Sequence, residues 1–277
     1  MIGFGILFGL ALICRLISYS YLKKQYEPKI KLKKGYYFSF LDFVKQSPKN
    51  NFGKFAIYRA IFTFAVAITS ALLAIYFLRF LGFSYFEYML ITLSGTTIAL
   101  FTLGIWGKIL DKYGSYRIIC VASIILPIVP ILWVLHSSLL YLIFVPSLVS
   151  GIGWAGFHLA ERNFIYDNVG PQKRGLAISY YNMFWGIGTF FGAILGGILI
   201  KYLHTNLIAP IIIIFIIGAI VRMLSVFWIL PLMKEVKGKK GFKNSKVFRE
   251  IILKQAKPTI SEEIHELIHI KKYLDLK

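Results

Sequence analysis

Seven long apolar runs dominate the chain, at residues 1–22, 55–79, 86–106, 117–135, 139–160, 175–203 and 206–232. Each is long enough to cross a hydrocarbon layer as a helix, which takes roughly 20 apolar residues. None alternates strictly between apolar and polar residues, so a membrane barrel is disfavoured. Helices are then the remaining way to satisfy backbone groups in lipid. Composition agrees, since 16% of the residues are charged where a soluble domain carries about 25%. The expected fold class is an all-α integral membrane protein with seven transmembrane helices.

The first run reads as a retained span, not a cleaved leader. It lacks a basic start, carries Arg15 inside the apolar stretch, and leads into "YLKKQYEPKIKLKKG" without a small-residue cleavage site. Cys14 and Cys120 both fall in or beside spans, so neither a disulfide framework nor a metal site is indicated. The formal net charge of +20 is unevenly placed. Residues 23–54 hold nine Lys, 107–117 three Lys/Arg, 161–174 three, and 233–277 twelve. The alternate loops near 80–85, 136–138 and 201–205 are flanked only by Arg79 and Lys201. This is the positive-inside pattern. It places the N-terminus outside and the C-terminus in the cytoplasm, most naturally in the plasma membrane. The lipid bilayer is the first expected partner, and nucleic acid is not one.

Four regions follow: a transmembrane helix at 1–22, a basic cytoplasmic loop at 23–54, a six-helix bundle at 55–232, and a basic cytoplasmic tail at 233–277. Within the tail, short amphipathic helices are expected from about Ser245 and again after Thr259, which has Glu262 at capping-box spacing. A weak repeat pairs "ICRLISYSYLKKQYE" around Arg15 with "IVRMLSVFWILPLMKE" around Arg222, as a parallel duplication would.

Between the second and third spans of the six-helix block lies "WGKILDKYGSYR". Gly107 is read as ending one helix where a side chain would obstruct packing. Asp111 is a carboxylate amid cations, Gly114 permits positive φ in a tight turn, and Arg117 opens the next span. The spacing resembles the signature loop of the major facilitator superfamily, whose transporters have twelve helices in two halves of six. A second cation-rich loop, "AERNFIYDNVGPQKRG", follows the fourth span of the block and is similar in Glu161-Arg162 and Pro171-x-x-Arg174-Gly175. Ser115 and Tyr116 stand where that family often has basic residues.

The resemblance covers residues 1–232 and implies that 1–22 matches the family's sixth helix, 23–54 its central loop and 55–232 the C-terminal six. Five helices are then missing. A truncated gene model or partial gene is expected, with a separately encoded N-terminal half as the other possibility. The resemblance also implies that Asp111 approaches the N-terminus of the helix beginning near Arg174, pairing with Arg162 or Arg174 to close the cytoplasmic side.

It further implies that the first, second, fourth and fifth helices of the block line a solute path. On the fourth, Trp154, His158 and Glu161 recur at helical spacing on one face. On the fifth, Asn182, Trp185 and Thr189 share a face, with Tyr181 beside them. The aromatics read equally as helix packing, and His158 as either a hydrogen-bonded packing residue or a proton carrier. Gly188, Gly192 and Gly196 at four-residue spacing read as a helix-packing seam, not a nucleotide loop. Arg15 and Arg222 read as structural. Glu87 and Glu161 are the only carboxylates touching the spans, both near helix ends. The expected function is secondary active transport of a small solute by alternating access, without cofactor or metal, and not enzymatic. A receptor or scaffold on the same fold is the alternative, and a membrane enzyme using His158 a weaker one.

Overall fold

The computed structural model describes residues 2–25, 37–203 and 209–236, in two units divided between Tyr36 and Tyr37. In the first unit, α1 (Ile2–Leu22) is a 21-residue helix whose apolar stretch is Phe8–Leu22, with Arg15 exposed. In the second, α2 (Phe40–Gln46) precedes α3 (Asn51–Ile75), which continues as a π turn over Tyr76–Phe80. Then come α4 (Tyr85–Tyr113), α5 (Ser115–Ile125), α6 (Val129–Leu135), α7 (Leu139–Asn168), α8 (Arg174–Tyr202) and α9 (Pro210–Ile229). Among the described residues, six helical stretches are long and apolar enough to cross a membrane, α5 and α6 forming one of them across a 3-10 turn.

Local chemistry sets the ends. Ser84 and Glu87 form a reciprocal capping box at the start of α4, and Asn50 accepts the Gly53 N–H at 2.6 Å to start α3. Ser39 and Asp42 form the same box on α2, where the Ser39 hydroxyl and then its amide hold the Asp42 carboxyl below the usual carboxylate range. This short helix inside the 23–54 loop is not foreseen by the sequence pattern. It docks through Phe43, which meets Phe52, Tyr180 and Phe184. The amphipathic helices expected after Ser245 and Thr259 lie outside the described residues.

Two helices are longer than the apolar runs, because helix formation continues after hydropathy falls. α4 extends to Tyr113, so most of the "WGKILDKYGSYR" segment is helix and the loop is a break at Gly114, with φ of 89°. Gly107 therefore does not end a helix, and a Cβ there would meet open space. α7 extends to Asn168, which places Glu161 seven residues, about 10 Å of axial rise, from the helix end. Glu161 is thus an interior residue of its helix, whereas Glu87 stays in the first turn of α4.

Proline breaks are filled by side chains. Pro130 has no N–H to give the Leu126 carbonyl, which accepts instead from the Val129 N–H of the 3-10 turn and, at 3.4 Å, from Arg222 of α9. Arg222 also donates to Thr69 and, at 3.4 Å, to the Val66 carbonyl. Pro146 likewise frees the Leu142 carbonyl, which accepts from Ser147 at 2.9 Å. Arg222 is thus buried among helix carbonyls and the Thr69 hydroxyl, to which it is an additional donor.

α3 is the central helix, packing against α8 and α9, while α4 and α5 pack against α7. The α3–α8 contact runs along Gly188, Gly192 and Gly196, whose absent side chains leave room for the carbonyls of Ala60, Phe64 and Ile68. One apolar cluster centres on Phe55, Phe62, Trp106 and Phe164, and another on Phe77, Trp133 and Phe215.

Candidate functional site

Where α3, α7 and α8 converge, a carboxylate sits in an apolar interior. Glu161 of α7 is 8% exposed, and Arg59 of α3 is 5% exposed. Arg59 Nε lies 2.9 Å from Glu161 Oε1. Tyr181 of α8 donates its hydroxyl to the same oxygen, and His158 Nδ1 lies 2.9 Å from Oε2. Two acceptor atoms at that separation need one proton between them, on the imidazole or on the carboxyl. The carboxylate is therefore held between a fixed cation and an imidazole.

Aromatic rings wall this arrangement. Tyr181 stacks on Phe55 at 5.5 Å, the Arg59 guanidinium lies 5.0 Å over the Phe157 ring, and His158 stacks on Trp154 at 5.1 Å. These contacts follow from helical spacing. Phe55, Arg59 and Phe62 lie on one stripe of α3, and Trp154, His158 and Glu161 on one stripe of α7.

A cavity of about 410 Å³ opens beside the cluster, lined by Arg59, His158, Glu161, Tyr181, Asn182 and Trp185 among others. A neighbouring cavity of about 240 Å³ takes in Thr63, Trp154 and Thr189. A third, about 280 Å³, lies between α4 and α7 and shares Trp154, His158 and Arg162. The structure thus gathers Trp154, His158, Glu161, Tyr181, Asn182, Trp185 and Thr189 around adjacent cavities that share lining residues. Sequence reasoning missed Arg59. It lies in the run 55–79 close to its polar edge, and its signal is the aromatic stripe on either side of it.

About two turns nearer the ends of these helices, at the same end of the bundle, the signature segment is arranged differently from expectation. Asp111 is exposed on the last turn of α4, with no polar partner among the described residues. Arg174 donates to the Val169 carbonyl at 3.0 Å and the Tyr166 carbonyl at 3.1 Å, and Arg162 lines the cavities. Among the described residues Asp111 does not pair with Arg162 or Arg174, and Arg174 closes the α7–α8 hairpin. The carboxylate at a helix N-terminus is Glu235, which accepts the Tyr116 N–H of α5 at 2.8 Å. Tyr116 also donates its hydroxyl to the Leu230 carbonyl at 3.0 Å. Asn51 completes the tie by bonding Asn168 at 2.7 Å and the Lys234 backbone at 2.9 Å. Arg117 is half-buried in the first turn of α5.

A Cβ on Gly114 would lie 2.5 Å from Glu235 Oε2, at a φ that side chains resist. Gly114→Ala is expected to lower stability by about 1–2 kcal/mol, whereas Gly107→Ala is expected to raise it by about 0.5–1 kcal/mol. Unfolding midpoints in detergent compare the two, and equal effects would contradict the role given to Gly114.

A family model described as Major Facilitator Superfamily matches residues 55–269. No curated protein matches the chain.

Proposed function

The chain belongs to the major facilitator superfamily, a family of membrane transporters, and on that premise we propose that it moves a small solute by secondary active transport with alternating access. The solute site is the space around Arg59, Glu161, His158 and Tyr181, and Glu161 carries a coupling proton. One observation supports this most: a buried carboxylate two turns inside a spanning helix, met by groups from two other helices. An ionisable group in a span is expensive and is a functional candidate by default. Protonation of Glu161 would weaken its hold on Arg59 and Tyr181, coupling proton occupancy to the packing of α3 and α8 on α7.

The cytoplasmic gate on this reading is the tie among Glu235, Tyr116 and Asn51, which joins the starts of α3 and α5 to the end of α9. The basic segments face the cytoplasm, the N-terminus lies outside, and the protein resides in the plasma membrane. A second six-helix bundle completes the path by facing α4 and α8. Only 17% of the apolar window of each is buried, against 50% for α3.

The test is a solute panel added to proteoliposomes holding a pH-sensitive dye. The expected result is solute-linked proton entry that Glu161→Gln abolishes, while solute exchange without net proton movement persists. Proton entry unchanged in Glu161→Gln would remove Glu161 as the carrier, and solute entry without protons would remove coupling.

A further inference from the structure

Donors and acceptors around the Arg59–Glu161 pair do not balance. Glu161 is well supplied, with Tyr181 on one oxygen, His158 on the other and Arg59 alongside. Arg59 is not. Its side chain is 7% exposed, yet Nε and Nη1 have no hydrogen-bond acceptor among the described residues. The Nε is 2.9 Å from Glu161 Oε1, but its N–H points off that oxygen, so the contact is an ion pair and not a hydrogen bond. Thr63 Oγ1, one turn further along the same face of α3, is also buried and unpartnered. Buried polar groups are nearly always satisfied, and each exception calls for a cause. Here the exceptions share a chemistry: a forked cation and a hydroxyl wait for an acceptor.

Both residues line the cavity of about 240 Å³, which shares Arg59, His158 and Trp185 with the larger one. Arg59, Arg162 and Glu161 line the two, two permanent cations against one carboxylate. One negative charge is complementary to that balance, while a dianion would be opposed by Glu161 in the same space. The walls include the indoles of Trp154 and Trp185, broad apolar faces that suit a flat carbon body.

We propose that the cavity of about 240 Å³ takes a small organic monocarboxylate, its carboxylate bonded by Arg59 and Thr63 and its flat body against Trp154 and Trp185. This rests on the reading of the same cluster as the solute site. It adds the ligand class, and it gives Arg59 two tasks, balancing Glu161 and receiving the ligand. A planar guanidinium can serve both edges at once, and a lysine ammonium cannot.

The experiment titrates the full chain, purified in detergent, with benzoate while indole fluorescence is read. Saturable binding is expected, weakened about tenfold to a hundredfold in Arg59→Lys and about threefold to tenfold in Thr63→Val. Thr63→Val keeps shape and charge, so it reads the missing bond without depending on the buried pair. Benzylamine and glucose are expected not to displace benzoate. Displacement by either, unchanged binding in both variants, or no saturable binding overturns the proposal. Benzoate bound but not carried into proteoliposomes supports the anion site and removes the transport reading. Uptake of glucose that depends on Arg59 keeps transport and overturns the monocarboxylate.

Discussion

Arg59→Ala is expected to destabilise the protein by about 3–5 kcal/mol, because it leaves Glu161 buried without its cation. Tyr181 and His158 remain as donors to the carboxylate, so the charge is not wholly orphaned, but the lost guanidinium also leaves its place over Phe157. Glu161→Leu is expected to fall in the same range, since it strands a buried guanidinium that already lacks acceptors. The double variant Arg59→Leu/Glu161→Leu is the informative one. Replacing both charges with apolar groups removes the desolvation penalty together with the attraction, so it is expected to lose less than the sum of the singles. The coupling should be about 0.5–3 kcal/mol. Chemical unfolding in detergent of the four proteins gives the cycle. Additive losses would mean that the ion pair contributes nothing as a pair.

Gly192→Leu is expected to be as damaging for a different reason. Even a Cβ on Gly192 would strike the Phe64 carbonyl of α3, with Ala67 close behind. A helix backbone cannot step aside as a flexible side chain can, so α3 and α8 must separate. Overpacking of this kind costs about 1–3 kcal/mol, and a leucine at a carbonyl contact belongs at the top of that range. Separation would also draw Tyr181 on α8 away from Glu161 and widen the cavity. Gly197→Ala is the control: nothing lies within 4 Å of a Cβ there. It is expected to be neutral or to stabilise by about 0.5–1 kcal/mol. Thermal midpoints in detergent separate the two, and similar losses at Gly192 and Gly197 would show that the seam does not need its glycines.

The glycine seam, the face of Trp154, His158 and Glu161, and the face of Asn182 and Trp185 were all legible because helical period is a local property of the chain. Helix ends were less so. Hydropathy drops at residues 106 and 160, but the backbone continues as helix to Tyr113 and Asn168. Polar residues there are compatible with helix and merely leave the apolar layer. That extension moved Glu161 from an apparent terminus to the interior, and Gly107 from a helix end to an open face. The signature segment told a similar story. Its Gly114 turn follows from residue type, whereas the carboxylate that meets it, Glu235, comes from beyond the last helix, 119 residues after Tyr116.

The sequence by itself determined the helical class and where the long apolar helices lie, because run length is a one-dimensional quantity that lipid reads directly. The tertiary structure alone decided which side chains share a site. Arg59 meets Glu161 because small residues let α8 lie close on α3 and because aromatic rings pack α3 against α7. Those approaches depend on shapes presented by distant helices. No local pattern in the chain encodes the distance between two of them.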